Sequence, residues 1–201
     1  MSYGDSCDGN IAPNGTTTKG IPRPHIGNVS YEGKGIYTCT NKNHVALTYD
    51  DGPYIFTADL LDILAEYNAK ATFFITGNNM GKGEIDNETT GYPQIIKRMH
   101  KEGHQIASHT WTHQNLSSAT PEHRENQIYY NEMAIRNVLG FIPTYMRPPY
   151  SEANNATQKM LYDMGYHITY YNIISNGVFL SELIASIILI SGQITTTILQ
   201  N

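Results

Sequence analysis

The sequence predicts an α/β fold on a mainly parallel sheet, arranged either as a barrel or as a doubly wound sheet. Short apolar runs alternate with segments of helical periodicity from His44 to Asn172, and this alternation is typical of βαβ units. Polar clusters follow three of the predicted strands. In both arrangements the carboxyl ends of parallel strands carry the functional site, so we expect these clusters to share one rim.

Five strands and four helices are predicted within this region. The strands are HVALTY (44–49), KATFFITG (70–77), HQIASH (104–109), PTYMRP (143–148) and HITYYN (167–172). The helices are TADLLDILAEYN (57–68), YPQIIKRMHKEG (92–103), TPEHRENQIYYNEMAIRNVLG (120–140) and NATQKMLYDMG (155–165). Thr57 and Thr120-Pro121 have the chemistry of helix starts, and Gly103 and Gly140 that of helix ends.

Composition divides the chain into three parts. Residues 1–43 are rich in Gly, Thr, Asn and Pro, which predicts an irregular arm that either wraps the domain or is a flexible tail. Residues 44–172 form the α/β domain. Residues 173–201 contain Glu182 as their single charge, and the 13-residue run VFLSELIASIILI is too short to span a bilayer unaided. No membrane span is therefore predicted.

Bulk composition excludes several classes of protein. The 201 residues, with 40% hydrophobic and 15% charged side chains, fit one globular domain, expected to be a monomer. A net charge of -5 argues against nucleic acid as a partner, because phosphate binding needs a basic surface.

The glycosylation sequons and the cysteines favour a secreted or cell-wall glycoprotein. The first ten residues, MSYGDSCDGN, have neither the basic residues nor the apolar run of a signal peptide. Two cysteines, Cys7 and Cys39, either pair or remain free. The five N-x-S/T sequons are slightly more than chance gives, and they lie at Asn14, Asn28, Asn87, Asn115 and Asn155.

The stretch TYDDGPY (48–54) places two carboxylates at the end of the first strand. Because the chain turns at Gly52-Pro53, Asp50 and Asp51 can both line one pocket. By itself such a motif is more often a capped turn that carries two solvated aspartates.

The stretch HTWTH (109–113) follows the third strand. On a helical turn, His109 and His113 would lie on one face and could share a metal ion. Alone, such a pair is more often made of surface or core histidines. With a carboxylate on the same rim, it becomes a three-ligand set with open positions for water and substrate, which is typical of catalytic metal sites.

The stretch RPPY (147–150) follows the fourth strand. Its two prolines fix an extended backbone and remove two N–H groups, so it presents the Tyr150 N–H and the Arg147 guanidinium. Arg147 could hold a carboxylate. The alternative is a rigid turn that only ends a strand.

Together, TYDDGPY, SHTWTH and RPPY, in this order and at these intervals, resemble the polysaccharide deacetylase family (the NodB homology domain, carbohydrate esterase family 4). The segment NHVALTYDDGPYIFTADLLDILAEYNAKATFFITGNN is most similar to fungal chitin deacetylases, and the resemblance covers residues 36–172. It implies a distorted (β/α) barrel, and a metal-dependent hydrolase that releases acetate from the N-acetylglucosamine units of chitin or chitooligosaccharides.

The resemblance also implies roles for individual residues. It implies one divalent ion, Zn²⁺ by preference and Co²⁺ or a similar ion otherwise. The implied metal ligands are Asp51, His109 and His113. Asp50 would be the general base, oriented by Arg147, and the Tyr150 backbone N–H would hold the oxyanion. Tyr54 and Trp111 are candidates for a sugar platform, although a packing role for Trp111 is equally compatible.

The C-terminal end departs from the family pattern. The family has two further motifs, an Asp that pairs with the arginine and a Leu-x-His whose histidine is the general acid, and neither occurs after His167. No general acid is therefore found, and His167 is misplaced for that role. We expect residues 173–201 not to be homologous to the family, the barrel to be incomplete there, and activity to be weak or absent. The alternatives are a degenerate, non-catalytic carbohydrate-binding protein and an acetylxylan esterase.

Overall fold

All nine predicted elements occur in the computed structural model, which describes residues 10–31, 35–42 and 44–174. The strands are β1 (Leu47–Asp50), β2 (Ala71–Ile75), β3 (Gln105–Ser108), β4 (Tyr145–Met146) and β5 (His167–Ile168). The helices are α1 (Thr57–Glu66), α2 (Tyr92–Lys101), α3 (Pro121–Leu139) and α4 (Asn155–Asp163). Two short 3₁₀ turns cover Glu88–Thr90 and Pro149–Ser151.

The order of the strands decides between the two predicted architectures. The five strands are all parallel and lie in sequence order, β1-β2-β3-β4-β5. A doubly wound sheet reverses its strand order at a switch point, and the strands between residues 44 and 174 show no such reversal. Right-handed crossovers in a single direction place the helices on one face, as in a (β/α) barrel.

The sheet curves around an interior. Arg147 follows β4, yet its Nη1 lies 2.6 Å from Asp50 Oδ1 and 3.1 Å from Thr48 Oγ1 on β1. In a flat sheet these strands would be three spacings apart, about 14 Å, which is beyond the reach of one side chain. The sheet therefore curls enough to bring the ends of β1 and β4 together.

Alternating residues of the strands separate an outer core from this interior. On β2, Phe73 and Ile75 belong to the large core beneath α1, α2 and α3. Their neighbour Phe74 points the other way and packs with Ala107 and Tyr145. Two layers of apolar contact thus hold the sheet in its curved form.

Trp111 belongs to the outer core. Its side chain is 0% exposed, and it lies directly against Gly77, where a Cβ atom would come within 1.9 Å of the indole ring. Only a glycine leaves room for the indole at this position.

The described part of the N-terminal arm wraps the domain. Ile36 forms a parallel bridge to Thr169, which adds one more backbone pair beyond β5. Arg23 makes a bidentate ion pair with Glu132 in the middle of α3, at 2.6 and 2.7 Å. Glu132 is fully buried, and its carboxylate also accepts from Thr18 Oγ1 and Tyr166 Oη. The arm therefore supplies the charge that compensates a buried carboxylate.

The predicted helix ends are confirmed with one exception. The Thr120 hydroxyl accepts from the His123 N–H, and Gly140 ends α3 in the left-handed conformation. The prediction that Thr57 caps α1 was wrong, because Thr57 is the first residue of the helix and Phe56 is its N-cap. Its hydroxyl instead accepts from the Tyr54 N–H at 2.7 Å, which folds the turn after β1.

Two predictions fall wholly or largely outside the described residues. Residues 175–201 of the tail are not described, so its expected lack of homology stays a prediction, and so does a pairing of Cys39 with Cys7. Within the described part of the chain, no helix is both long and apolar enough to cross a bilayer.

Replacing Arg23 tests the anchoring of the arm. Arg23→Met leaves the buried Glu132 carboxylate without its cation, so the free energy of unfolding should fall by about 3–5 kcal/mol in urea titrations. Lys19→Met is the matched control, because Lys19 lies on the same arm and its ion pair with Glu125 of α3 is exposed, at 67% and 38% for the two side chains. This substitution should change the free energy of unfolding by less than about 1 kcal/mol. Equal effects of the two substitutions would refute the anchoring role.

Replacing Gly77 tests the packing of the indole. Gly77→Ala forces a methyl group into the Trp111 ring and should lower the free energy of unfolding by about 1–3 kcal/mol or more. At Gly20 a Cβ atom meets nothing within 4 Å, so Gly20→Ala should stay within about 0.5 kcal/mol of the parent. A fully stable Gly77→Ala protein would show that this contact is not tight.

Candidate metal centre

The structure brings three potential metal ligands together at the carboxyl-terminal rim of the sheet. Asp51, His109 and His113 each offer one ligand atom, and these atoms all lie within 4.8 Å of one another. Asp51 Oδ1 is 3.5 Å from His113 Nε2 and 3.9 Å from His109 Nε2. Two imidazole nitrogens and one carboxylate oxygen are a donor set typical of Zn²⁺ and other divalent transition metals.

His109 is held in the orientation and charge state that a metal requires. Its Nδ1 donates to the backbone carbonyl of Arg147 at 2.6 Å, which leaves the Nε2 lone pair facing Asp51. Burial lowers the pKa of His109 to about 4, opposed in part by that hydrogen bond. The ring is therefore neutral at neutral pH, and its ligand nitrogen carries no competing proton.

The two histidines do not converge on a helical turn, so that prediction was wrong. Residues 109–115 are irregular, and the backbone takes positive φ at Thr110 (73°) and His113 (58°). The His109 N–H continues the β3 pairing to the carbonyl of Ile75. Two left-handed residues then turn the chain sharply enough to bring both rings to one point.

Asp50 and Asp51 reach the same site by different means. Asp50 is the last residue of β1 and points inward, whereas Asp51 has a φ of 68° and leads into the Gly52-Pro53 turn. As a result Asp50 Oδ2 and Asp51 Oδ1 each lie 3.9 Å from His109 Nε2. The left-handed residue removes the alternation that would otherwise send adjacent side chains to opposite faces.

Arg147 fixes the carboxylate of Asp50. Its Nη1 donates to Asp50 Oδ1 at 2.6 Å, its Nη2 donates to the Tyr170 carbonyl at 3.0 Å, and its guanidinium lies 4.2 Å from the centre of the Phe74 ring. Burial raises the pKa of Asp50, and the charge and hydrogen bond of Arg147 oppose that shift. Oδ1 is thus anchored while Oδ2 lies 3.9 Å from His109 Nε2, among the potential metal ligands, as a proton acceptor at this rim would require.

Two exposed tyrosines follow the strands that carry the site residues. Tyr150 is 59% exposed, has a φ of 59°, and packs its ring edge-on against His113 at 4.8 Å between centroids. Tyr54 is 39% exposed on the turn after β1. The Tyr150 ring is therefore accessible to a ligand that approaches the candidate metal site.

Trp111 takes the packing role rather than the sugar-platform role. A side chain with no exposed surface offers no face to a sugar, and the indole lies in the outer core. Trp111 lies between His109 and His113 in the sequence, but its side chain points away from the rim that the two histidines line.

No further histidine reaches the site within the described residues. His167 is fully buried, stacks on Tyr31 at 3.7 Å between ring centroids, and donates from Nδ1 to the Ser30 carbonyl. It therefore anchors the arm. The expectation that the chain lacks a general acid stays a prediction.

Sequence reasoning missed a group of residues after β2. Asn79 Nδ2 lies 3.3 Å from Asp51 Oδ1, and Lys82 Nζ lies 2.8 Å from the Asp51 carbonyl. Burial lowers the pKa of Lys82 to about 7, and Asp51 opposes the shift. The polar stretch TGNN follows β2 just as the three motifs follow β1, β3 and β4, so the rule that sites form at strand ends could have identified it.

Curated relatives share the sequence of this region. The chain is 42% identical over 138 residues to a chitin deacetylase of Pestalotiopsis sp, covering 69% of this chain and 44% of the relative. It is 42% identical over 141 residues to a chitin deacetylase of Colletotrichum lindemuthianum, covering 70% and 55%. The chain thus spans about half the length of these relatives.

Solved structures share the fold. The chitin deacetylase of Colletotrichum lindemuthianum matches with a TM-score of 0.63 at 42% identity, covering 67% of this chain and 58% of that one. The Bc1960 peptidoglycan N-acetylglucosamine deacetylase matches with a TM-score of 0.62 at 34% identity, covering 78% and 69%. A family 4 acetyl xylan esterase of Clostridium thermocellum, solved with a cobalt ion, matches with a TM-score of 0.50 at 32% identity, covering 59% and 53%.

The family assignment rests on sequence and geometry together. The sequence model of polysaccharide deacetylases matches residues 37–169, more than half of the chain. The matched segment contains every residue of the rim described above, from Asp50 to Tyr150. The parallel α/β sheet is also that of the carbohydrate esterase family 4 deacetylases, whose fold is a distorted barrel. The chain belongs to the polysaccharide deacetylase family.

Proposed function

We propose that this chain carries the metal-dependent centre of a hydrolase that removes N-acetyl groups from chitin or chitooligosaccharides and releases acetate. One observation carries the proposal: Asp50 Oδ2 and Asp51 Oδ1 lie at the same distance, 3.9 Å, from His109 Nε2. A ligand carboxylate and a second, anchored carboxylate thus face one point. This arrangement suits a bound ion with a proton acceptor beside it.

The residues fit a divalent ion. Asp51, His109 and His113 would hold it, and the hydrogen bond from His109 Nδ1 to the Arg147 carbonyl is the second contact that metal-binding histidines usually make. Three protein ligands leave positions open for water and substrate. Zn²⁺ suits two nitrogens and one carboxylate, and Co²⁺ is the alternative that a relative solved with cobalt supports.

The chain's own residues divide the work of amide hydrolysis. A bound divalent ion would supply the Lewis acidity that activates water and polarises the acetyl carbonyl. Asp50 Oδ2 accepts the proton of the attacking water, while Arg147 holds Oδ1 and keeps the carboxylate aimed. The backbone N–H of Tyr150 donates to the developing oxyanion. Tyr54 and the Tyr150 ring contact the sugar next to the reacting acetamide.

Two fungal relatives, both named chitin deacetylases, support the proposed substrate class. Exposed tyrosines beside an acidic rim suit a neutral, polar sugar chain better than an anionic polymer. Chitin is a wall polysaccharide, so the proposal includes action outside the cell or in the cell wall, which the sequons at Asn14, Asn28 and Asn87 also favour.

The sequence lacks the family's Leu-x-His motif after His167, and the expected lack of a general acid favours a second candidate. Without proton donation to the leaving amine, amide hydrolysis is slow, whereas an acetyl ester expels a better leaving group. Residual activity on O-acetyl groups, as in an acetylxylan esterase, would then outlast N-deacetylation. If neither kind of acetyl group is hydrolysed, the chain would be a carbohydrate-binding protein without catalytic activity.

The metal centre can be tested by ion content. After chelation and reloading with Zn²⁺, the parent should hold one ion per chain by elemental analysis, and His113→Ala should hold none, because two ligands rarely retain a catalytic ion. His123→Ala is the matched control, an exposed histidine at the start of α3. Loss of the ion in both variants, or in neither, would contradict the assignment.

The catalytic roles can be tested by acetate release from chitin oligomers with Zn²⁺ added. The chain as it stands should be slow, and replacing residues 173–201 with an ending that carries the family's Asp and Leu-x-His should raise the rate by about 10²–10⁴-fold. In that restored protein, Asp50→Asn should lower the rate by about 10²–10⁴-fold while the bound ion stays, because Asp50 is the base and not a ligand.

Three outcomes would contradict this account. Full activity of the chain as it stands, or no gain from the restored ending, would refute the role assigned to the missing acid. Loss of the ion from Asp50→Asn would show that Asp50 belongs to the metal ligands.

A further inference from the structure

Asp51 occupies a backbone conformation that side chains seldom adopt. Its φ of 68° lies in the left-handed region, where a non-glycine residue is uncommon. A residue held there needs support from its surroundings, and such support would set the position of its carboxylate. The segment that follows β2 supplies contacts to both the main chain and the side chain of Asp51.

Lys82 supports the main chain. Its Nζ lies 2.8 Å from the Asp51 carbonyl, 3.0 Å from the Gly52 carbonyl and 3.0 Å from Thr76 Oγ1. An ammonium group has three hydrogens, so it can donate one to each of these three oxygens. The Thr76 N–H also donates to the Gly52 carbonyl at 3.2 Å. The turn after β1 is thereby tied to the end of β2.

Asn79 supports the carboxylate. Its Nδ2 donates to Asp51 Oδ1 at 3.3 Å, and its Oδ1 accepts from the Thr76 hydroxyl at 2.8 Å. Thr76 Oγ1 is equally close to the Asp51 carbonyl, but it carries one hydrogen, and Lys82 already donates to that carbonyl. The hydroxyl therefore donates to Asn79. The opposite orientation of the amide would point its oxygen at a carboxylate.

The direction of this chain of hydrogen bonds is thus defined, from Lys82 through Thr76 and Asn79 to Asp51. Asn79 and Thr76 are buried, at 8% and 0% exposure, so water does not replace these bonds. A carboxylate oxygen has a second lone pair, and the bond from Asn79 leaves one free to face His113.

We propose that Asn79 is a positioning residue for the metal ligand Asp51, itself oriented by Thr76, an inference that rests on the proposed metal centre. Asn79 acts by holding Asp51 Oδ1 where it meets the two imidazole nitrogens, so the three ligands are preorganised before an ion arrives. Substituting the group that orients a metal ligand typically lowers metal affinity by about 10–100-fold.

The same segment also aligns the histidine loop. The Gly77 N–H donates to the Thr110 carbonyl at 3.1 Å and the Asn78 N–H to the Trp111 carbonyl at 2.6 Å. Residues 76–79 therefore lie between the aspartate turn and the histidine loop and set their separation. Because these bonds use backbone atoms, they survive substitution of the Asn78 side chain, which makes Asn78→Ala a matched control.

The test compares Zn²⁺ affinities at neutral pH by competition with a chromogenic chelator. Asn79→Ala should weaken binding by about 10–100-fold relative to Asn78→Ala. Thr76→Val, which keeps the shape but loses the hydroxyl, should weaken binding, whereas Thr76→Ser should not. In the double variant Asn79→Ala/Thr76→Val the effects should not add, because Thr76 acts through Asn79. Visible absorption of the Co²⁺-loaded proteins reports the ligand geometry independently of activity.

A purely structural role would give a different pattern. If Asn79→Ala lowers the urea midpoint of the metal-free protein but binds Zn²⁺ as tightly as Asn78→Ala, the proposal is overturned. Additive effects of Thr76→Val and Asn79→Ala would overturn the link between them. If the parent itself binds no ion, the proposed metal centre fails. If the parent binds and Asn79→Ala is unaffected, only the positioning role fails.

Discussion

The contact between Arg147 and Asp50 is the interaction on which this structure depends. The guanidinium links the ends of β4 and β1 across the curved sheet, lies over Phe74, and donates to the Tyr170 carbonyl. The backbone carbonyl of the same residue orients His109. A charge buried this deeply is stable only when it is paired and hydrogen-bonded. One residue therefore contributes both to the curvature of the sheet and to the geometry of the site.

Backbone strain is concentrated at the rim that this contact defines. Several non-glycine residues there have positive φ, namely Asp51, Thr110, His113, Tyr150 and Ser151. Each such conformation costs free energy, and it persists only where the surroundings determine it. Here the surroundings are hydrogen bonds from the end of β2 and the packing of Trp111 against Gly77. The stability of the core thus supports a set of potential metal ligands that no regular element could bring together.

The N-terminal arm contributes to the same domain. Glu132 in the middle of α3 would be an uncompensated buried charge without Arg23, and Ile36 extends the backbone pairing beyond β5. The aromatic stack of Tyr31 on His167 covers the end of the sheet near the arm. An irregular segment thereby replaces regular structure at an edge that would otherwise expose unpaired backbone groups.

The sequence by itself determined the nine elements, because apolar periodicity and helix-end chemistry are local properties. It also placed Asp50, Asp51, His109, His113 and Arg147 on one rim, because parallel strands end at the same edge. Other features depend on contacts between residues far apart in the chain, and no local pattern encodes them.

Only the tertiary structure showed that the strands follow sequence order, which selects the barrel over the doubly wound sheet. It replaced the predicted helical turn with left-handed residues at Thr110 and His113, and it buried Trp111 against Gly77. It also revealed Asn79 beneath Asp51, 28 residues away in sequence. The physical reason is the same in each case: packing and hydrogen bonding across strands decide the final backbone and side-chain positions.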